Sequence, residues 1–329
     1  MNVLICDDSA FARKQLARAL PAGWPVTLHQ ATNGLEGVEQ VLMGHGDLLF
    51  LDLTMPELDG YGVLETLKRE GIRSKVIVVS GDIQPEAYQK VMSLGAIDFI
   101  KKPASGEQIV ALLERHGLWR TDEARTDVAP TMALTVEARD VYQELANVAM
   151  GQAADLLARL LDAFVVLPIP NVNVLEVSEL HMALNAAAKQ ETLSAVCQGF
   201  IGAGIAGEAL LLFHDSSFAD LARLMKFEGE LDRRAELELL MDTANVLIGA
   251  FLRGYANQLD TPFSQGHPVV LGQHRPIEAL IQTNQSRWRR TLAIEINYRV
   301  DGYAVQCDLL LLFTEDSIAT MNNKIMHML

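Results

Sequence analysis

Residues 1–119 alternate short apolar runs with longer amphipathic segments, and this alternation limits the fold more than any other feature of the chain. The apolar runs are rich in β-branched residues, as buried strands are, and the segments between them repeat apolar residues with helical spacing. Continuous apolar strands that alternate with helices indicate a parallel sheet covered on both faces. We therefore predict an α/β doubly wound domain over residues 1–119, with five parallel strands near 3–6, 26–31, 48–53, 75–80 and 96–100.

Polar side chains stand at the ends of these predicted strands. Asp7 and Asp8 follow the first strand, Asp52 the third, Ser80 the fourth and Lys102 the fifth. In a doubly wound sheet these positions face one crevice, and three carboxylates gathered there repel one another unless a hard cation such as Mg²⁺ lies among them. An ionised carboxylate beside Mg²⁺ and a lysine is suited to accept a phosphoryl group. The alternative, acids that merely cap helices, explains a single acid better than the whole set.

The motifs DD at 7–8, LDLTMPELDG at 51–60, VVSGD at 78–82 and FIKKP at 99–103 resemble those of a CheY-like response-regulator receiver domain. The resemblance implies that Asp52 is the phospho-acceptor and that a histidine kinase is the phosphodonor. It implies that Mg²⁺ is held by Asp7, Asp8, Asp52 and the carbonyl of Thr54. In the same way it implies that Ser80 and Lys102 contact the phosphoryl oxygens and that Phe99 is the aromatic switch residue.

The alternation ends at Trp119, and the chain then changes character. Residues 120–135 (RTDEARTDVAPTMALT) are polar and lack periodicity, which is typical of a linker. From residue 136 onward, long helical segments are followed by groups of strand-like runs instead of alternating with single strands. We therefore predict a second domain, of the α+β class, over residues 136–329.

This second domain contains an internal sequence repeat. The tripeptide ANV at 146–148 recurs at 244–246, and LLFHDSS at 211–217 is matched by LLFTEDS at 311–317. One copy alone would leave its apolar strands uncovered, whereas two copies related by a pseudo-twofold axis would bury them in one sheet. The predicted repeats span approximately 136–230 and 231–329.

A polar stripe marks the long helix that opens each repeat. In the first copy the stripe is Asp140, Glu144 and Asn147; residues three and four apart on a helix lie on one face, with Cβ atoms about 5–6 Å apart. We expect the stripe to be exposed on an amphipathic helix. An amide can hold a water molecule in line with phosphorus, and a carboxylate can pair with a lysine. The alternative is a solvated helix face, but the recurrence as Glu238, Asp242 and Asn245 argues against it.

The spacing D-x-x-x-E-x-x-N, with Pro170 further on, resembles the active-site motif of the CheC/CheX/FliY phosphatases, and two copies resemble the CheC type. The resemblance covers about residues 136–329 and implies that Asn147 orients the attacking water while Glu144 contacts the lysine of a phosphorylated CheY-like receiver. In the second copy Asp242 replaces the glutamate, which shortens the reach by about 1.5 Å. Asn245 is kept there, and we expect the first copy to be the more active, with the second copy either weaker or acting on another receiver.

These interpretations lead to one main hypothesis and two alternatives. The main hypothesis is a chemotaxis response regulator and hydrolase that removes the aspartyl phosphate of CheY-like receivers, modulated by phosphorylation of Asp52. One alternative is a phosphorylation-switched binding module that contacts chemotaxis proteins and catalyses little. The other is a regulator that dephosphorylates itself.

Composition excludes several other classes. The formal net charge of −15 disfavours binding to nucleic acid. The longest apolar runs, such as LLLLF at 309–313, are far short of the roughly 20 residues that cross a bilayer, so we expect no membrane partner. The N-terminus has no pattern of a signal peptide, and the three scattered cysteines suit buried thiols, so we expect a cytoplasmic protein.

Overall fold

The computed structural model describes residues 1–120, 136–176, 192–275 and 290–328. The chain divides into two compact units, Met1–Glu144 and Leu145–Leu329. The predicted linker, apart from Arg120, lies outside the described residues. The division falls inside the helix that contains Glu144.

The first unit is built around a five-stranded sheet, and this confirms the predicted doubly wound α/β fold. All its strands are parallel, in the order β2-β1-β3-β4-β5. Its elements are β1 (Asn2–Cys6), α1 (Ala10–Ala19), β2 (Thr27–Ala31), α2 (Gly34–Leu42), β3 (Leu48–Leu51), α3 (Gly60–Arg69), β4 (Lys75–Ser80), α4 (Pro85–Leu94), β5 (Asp98–Lys101) and α5 (Gly106–Arg115).

Both faces of this sheet are buried. Alternate residues of a strand point to opposite faces, so Val3 and Ile5 of β1 enter one apolar cluster while Leu4 and Cys6 enter another. The first cluster also contains residues of α1 and α5, and the second contains residues of α2 and α3. With helices on both faces, the sheet leaves its carboxyl edge as the place where polar strand-end residues collect.

The second unit combines long helices with one antiparallel sheet, which confirms a second α+β unit. Helix α6 begins in the first unit and continues into this one. The elements are α6 (Ala138–Leu161), β6 (Val165–Val166), β7 (Asn171–Glu176), β8 (Leu193–Gly202), β9 (Ile205–His214), α7 (Phe218–Leu224), α8 (Arg233–Gln258), β10 (Ser264–Gln265), β11 (Val269–Arg275), β12 (Arg290–Val300), β13 (Gln306–Phe313) and α9 (Glu315–Met326).

The strand order of this sheet is β10-β8-β9-β13-β12-β6, with β11 also paired to β8 and β7 also paired to β12. Strands β9 and β13 meet at the centre, and each predicted repeat supplies the edge strands that pair with the other repeat. Counted from either edge, the sheet therefore begins with one strand of one repeat and continues with two strands of the other. This arrangement is compatible with the predicted two-fold repeat, which itself stays a prediction.

Helices α6 and α8 approach closely within the second unit. A Cβ atom placed on Gly254 of α8 would lie 3.1 Å from Ala149 Cα and 3.3 Å from Ala149 Cβ of α6. The Gln258 side chain donates a hydrogen bond of 2.8 Å to the carbonyl of Leu145. The absence of a side chain at Gly254 lets the two helix backbones come this near.

A histidine links three elements of the second unit. His274, at the end of β11, lies 3.0 Å from Asp215 through Nδ1 and 2.8 Å from Glu236 of α8 through Nε2. Burial lowers the pKa of His274, but the two carboxylates outweigh that effect and raise the pKa above its ordinary value. These two contacts tie the start of α8 to the sheet, and they are ion pairs when the ring is protonated.

None of the helices in the described ranges combines the length and the apolar character that a bilayer span requires. The three cysteines, Cys6, Cys197 and Cys307, are buried thiols, as the sequence predicts.

Candidate functional site

Three carboxylates meet at the carboxyl edge of the first sheet. Asp7 and Asp8 follow β1 and Asp52 follows β3, the neighbouring strand, so all three reach the same crevice. One oxygen from each lies within 4.8 Å of the others. Asp52 is 1% exposed and Asp7 is buried. The structure thus brings together the predicted acids, at the place where parallel strands collect their end residues.

Mutual repulsion and burial both act on these acids. Burial and the neighbouring Asp7 raise the pKa of Asp8 to about 7, with Lys102 acting in the opposite direction. Burial likewise raises the pKa of Asp52, against the lowering effect of Lys102. The Oδ1 atom of Asp52 is buried and has no hydrogen-bond partner. An additional positive charge would lower the free energy of this cluster.

The donor set fits a divalent cation such as Mg²⁺. Three carboxylates with oxygens this close match the oxygen ligands that Mg²⁺ prefers, and Oδ1 of Asp52 accepts no hydrogen bond that the ion would have to replace. Asp7, Asp8 and Asp52 would hold the ion, which when bound supplies positive charge toward phosphoryl oxygens. The predicted fourth ligand, the carbonyl of Thr54, stays a prediction; the Thr54 amide donates to Asp52 Oδ2 at 3.3 Å.

Lys102 is the central cation of the site. Its Nζ lies 2.7 Å from Asp7 Oδ2, 3.3 Å from Asp52 Oδ1 and 3.2 Å from Glu144 Oε1. The contact with Asp52 is an ion pair without hydrogen-bond geometry. Burial lowers the pKa of Lys102, but the three carboxylates outweigh burial and hold the pKa well above its ordinary value. Lys102 therefore remains an ammonium ion although it is buried.

Ser80 lies on β4 and Phe99 on β5, the two strands that follow β3 in the sheet. Ser80 ends β4, is buried, and its hydroxyl accepts a hydrogen bond of 3.1 Å from the Asp82 amide. Phe99 on β5 is half-buried and packs edge-on against Tyr88 of α4, with ring centroids 6.0 Å apart. Both residues occupy the positions that the sequence predicts, and their roles in phosphorylation stay predictions.

Arg13 is a site residue that the sequence analysis missed. Its guanidinium is buried and donates hydrogen bonds to the carbonyls of Asp7 at 2.6 Å and Asp8 at 3.2 Å, and to the side chain of Gln30 at 2.9 Å. These bonds fix the loop that carries two of the three acids. The only signal in the sequence was a basic residue on the apolar face of α1.

The first turns of α6 complete the surroundings of this pocket. Asp140 accepts hydrogen bonds from the backbone amides of Ala10 at 3.2 Å and Phe11 at 2.6 Å, at the N-terminus of α1. A carboxylate at this position interacts favourably with unpaired amides and with the helix dipole. One turn further along, Glu144 pairs with Lys102. Burial, against the effect of Lys102, raises the pKa of Glu144 to about 7.

The expectation of an exposed stripe in the first copy is therefore wrong. Glu144 is 6% exposed and Asn147 is 5% exposed. For Glu144 the physical reason is its ion pair with Lys102, a residue 42 positions earlier in the chain. Helical periodicity places a residue on a face but does not reveal what covers that face, so the sequence could not have predicted this burial.

The second copy of the stripe, by contrast, is exposed. Glu238, Asp242 and Asn245 lie at successive turns of one face of α8, and each is exposed to solvent. The two copies thus have the same spacing in sequence and opposite accessibility in the structure.

Comparison with known proteins identifies the first unit. Residues 3–114 match the response regulator receiver domain family. The chemotaxis protein CheY of Thermotoga maritima is 35% identical over 115 residues, which cover 35% of this chain and 95% of that protein. A protein-glutamate methylesterase/protein-glutamine glutaminase of Symbiobacterium thermophilum is 35% identical over 164 residues, 49% of this chain. The chain spans only 43% of the length of that methylesterase.

One solved structure is similar to this chain over more than the receiver domain. The crystal structure of Thermotoga maritima FliY is similar over 60% of this chain and 100% of that chain, with a TM-score of 0.41 and 18% identity.

The parallel sheet and its acid cluster, together with these matches, define a signalling protein of the receiver-domain class. The chain belongs to the response-regulator family, with its receiver domain at residues 3–114 and relatives among the chemotaxis proteins.

Proposed function

We propose that this response regulator hydrolyses the aspartyl phosphate of CheY-like receivers through its second unit, and that phosphorylation of Asp52 modulates this activity. The observation that carries the proposal is the ion pair of 3.2 Å between Glu144 and Lys102. A glutamate of the D-x-x-x-E-x-x-N stripe is paired with the lysine of a receiver pocket, beside its phospho-acceptor. This is the contact that the predicted phosphatase chemistry requires.

Phosphorylation of Asp52 uses the residues of the first unit. An oxygen of the Asp52 carboxylate attacks the phosphorus of a phosphohistidine on a histidine kinase, the new O–P bond forms, and the N–P bond of the donor breaks. Lys102 and Ser80 would stabilise the phosphoryl oxygens. Asp7 and Asp8 would hold Mg²⁺ next to them.

Hydrolysis of the resulting acyl phosphate uses the stripe. The amide of Asn147 or Asn245 orients a water molecule, whose oxygen attacks phosphorus as the bond to the aspartate oxygen breaks. The aspartate leaves as a carboxylate, and the water protons pass to phosphate and solvent. The acid one turn before the asparagine pairs with the receiver lysine and thereby positions the amide.

The test is the decay of phosphate on a separate CheY, phosphorylated by acetyl phosphate, with and without the full chain. We expect the full chain to accelerate the decay and the double variant Asn147→Ala/Asn245→Ala to lose the acceleration. Asn257→Ala is the matched control, since Asn257 is an exposed asparagine on the same helix as Asn245. If the wild-type chain and the double variant give the same rate of phosphate loss from the separate CheY and from Asp52, the phosphatase hypothesis is wrong. The alternative of a phosphorylation-switched binding module, which contacts other chemotaxis proteins, is then favoured.

A second candidate function is self-dephosphorylation, and the same ion pair favours it. Lys102 and Asp52 belong to the chain's own receiver, and Lys102 already pairs with Glu144. In this case the phosphate on Asp52 decays at a rate that is independent of protein concentration, and Asn147→Ala lengthens its lifetime. A lifetime that shortens as the concentration rises would instead indicate action between chains.

A further inference from the structure

The two copies of the stripe differ in what their acids contact. In the first copy Glu144 is buried and paired with Lys102 of the chain's own receiver, and Asp140 accepts hydrogen bonds from the backbone amides of Ala10 and Phe11. In the second copy the corresponding acids, Asp242 and Glu238, are exposed on α8. The side chains of the second copy are therefore open to a receiver from another chain.

We propose that the two copies act on different receivers: the first copy on the chain's own Asp52, and the α8 copy on a separate receiver. The inference rests on the proposed function and names the substrate of each site. The partner of the α8 copy is a protein surface that presents a lysine ammonium beside an aspartyl phosphate, next to a helix N-terminus.

The contacts of the first copy show which chemistry this partner must offer. Asp140 binds two backbone amides at the start of α1, and Glu144, one turn later, pairs with a buried ammonium. The α8 copy repeats the two acids at the same spacing. Its partner must therefore present an exposed helix N-terminus and a lysine about one helical turn apart, roughly 6 Å along the α8 axis.

The lengths of the two acids are exchanged between the copies. The first copy has aspartate at position 140 and glutamate at position 144, whereas the second has glutamate at 238 and aspartate at 242. The loss of about 1.5 Å of reach toward the lysine is thus matched by a gain of the same size toward the helix N-terminus. A small tilt of α8 against its partner satisfies both contacts, so the shorter Asp242 does not disable the site.

Charge supports the same partner. Glu238 and Asp242 lie one turn apart on an exposed face, and no basic residue of α8 lies between them in sequence. Two adjacent carboxylates attract an ammonium and the positive end of a helix dipole, and they repel an acidic surface. The half-buried Met241 and Val246 border the face and offer apolar contact.

The experiment measures two decay rates with the full chain. The first is loss of phosphate from the chain's own Asp52 at several dilutions, and the second is loss from Thermotoga maritima CheY phosphorylated by acetyl phosphate. We expect Asn147→Ala to slow the first decay about 100-fold and to change the second less than twofold. We expect Asn245→Ala to do the reverse, while Asn257→Ala changes neither.

Because Asn147 is buried, Asn147→Asp, which keeps the size of the side chain, serves as a second variant, and a thermal melt checks that each variant folds. Equal slowing of both decays by either asparagine variant overturns the division between copies and leaves the phosphatase function intact. If Asn147→Ala slows the decay of Asp52 phosphate but the full chain does not accelerate the decay of phosphate on the separate CheY, the proposed role of the α8 copy is wrong. If the chain accelerates neither decay, the proposed function itself fails.

Discussion

Removal of the Lys102 ammonium should destabilise the first unit strongly. Lys102 lies within 3.3 Å of three buried carboxylates, those of Asp7, Asp52 and Glu144. Methionine has a similar volume, so the change Lys102→Met removes the charge and leaves little cavity. Breaking a buried ion pair by removing one partner costs about 3–5 kcal/mol, because the remaining charges are buried without compensation. We expect a loss of this size in the free energy of unfolding.

The measurement is urea unfolding in EDTA, followed by tryptophan fluorescence in a Trp288→Phe background. Trp24 and Trp119 pack against each other in the first unit, with ring centroids 6.4 Å apart, and report on its unfolding. Lys101→Met is the matched control, since Lys101 is the exposed neighbour of Lys102 and should change stability by less than about 0.5 kcal/mol.

A second substitution tests the cause of the loss. Glu144→Gln in the Lys102→Met background removes one of the uncompensated carboxylates and should restore part of the lost stability. A double-mutant cycle gives the coupling between the two side chains. The electrostatic reasoning would be refuted if Lys102→Met cost no more than Lys101→Met, or if Glu144→Gln destabilised both backgrounds equally.

Three further outcomes are expected. Gly254→Ala should destabilise the chain by about 1–2 kcal/mol in urea unfolding, because the new Cβ would press on Ala149. At Gly249 a new Cβ would lie 4.0 Å from a side-chain oxygen, so the control Gly249→Ala should stabilise the chain by up to about 1 kcal/mol. Equal effects of the two changes would contradict the close contact between the helices. The pKa of His274 is raised in the folded chain. The stability from its ion pairs is therefore full below the unfolded pKa near 6.5 and is lost as pH rises through the higher folded pKa. His274→Gln should cost more stability at pH 5.5 than at pH 9, and a cost that does not change with pH would contradict this reasoning. Mg²⁺ should raise the melting temperature of the wild-type chain over that in EDTA, and Asp8→Asn should reduce the rise; an unchanged rise would remove Asp8 from the ion site.

Sequence reasoning was most effective where a local pattern decides the structure. The alternation over residues 1–119 predicted the five strands of the first unit and the helices that alternate with them, because buried strands and amphipathic helices each have their own periodicity. The acid cluster could be predicted as well, since the carboxyl ends of parallel strands meet at one edge. Arg13 was missed because the bonds that fix the acid-bearing loop go to backbone carbonyls, which leave no mark in the sequence.

The sequence by itself determined which side chains carry the chemistry: the acids and the lysine at the strand ends, and the acid and amide stripe on each long helix. Only the tertiary structure decided the environment of each stripe. Glu144 pairs with a lysine 42 residues earlier, while Asp242, with the same helical spacing, stays exposed. Helical periodicity fixes the face on which a side chain lies, but a contact between residues distant in the chain depends on how the folded elements pack.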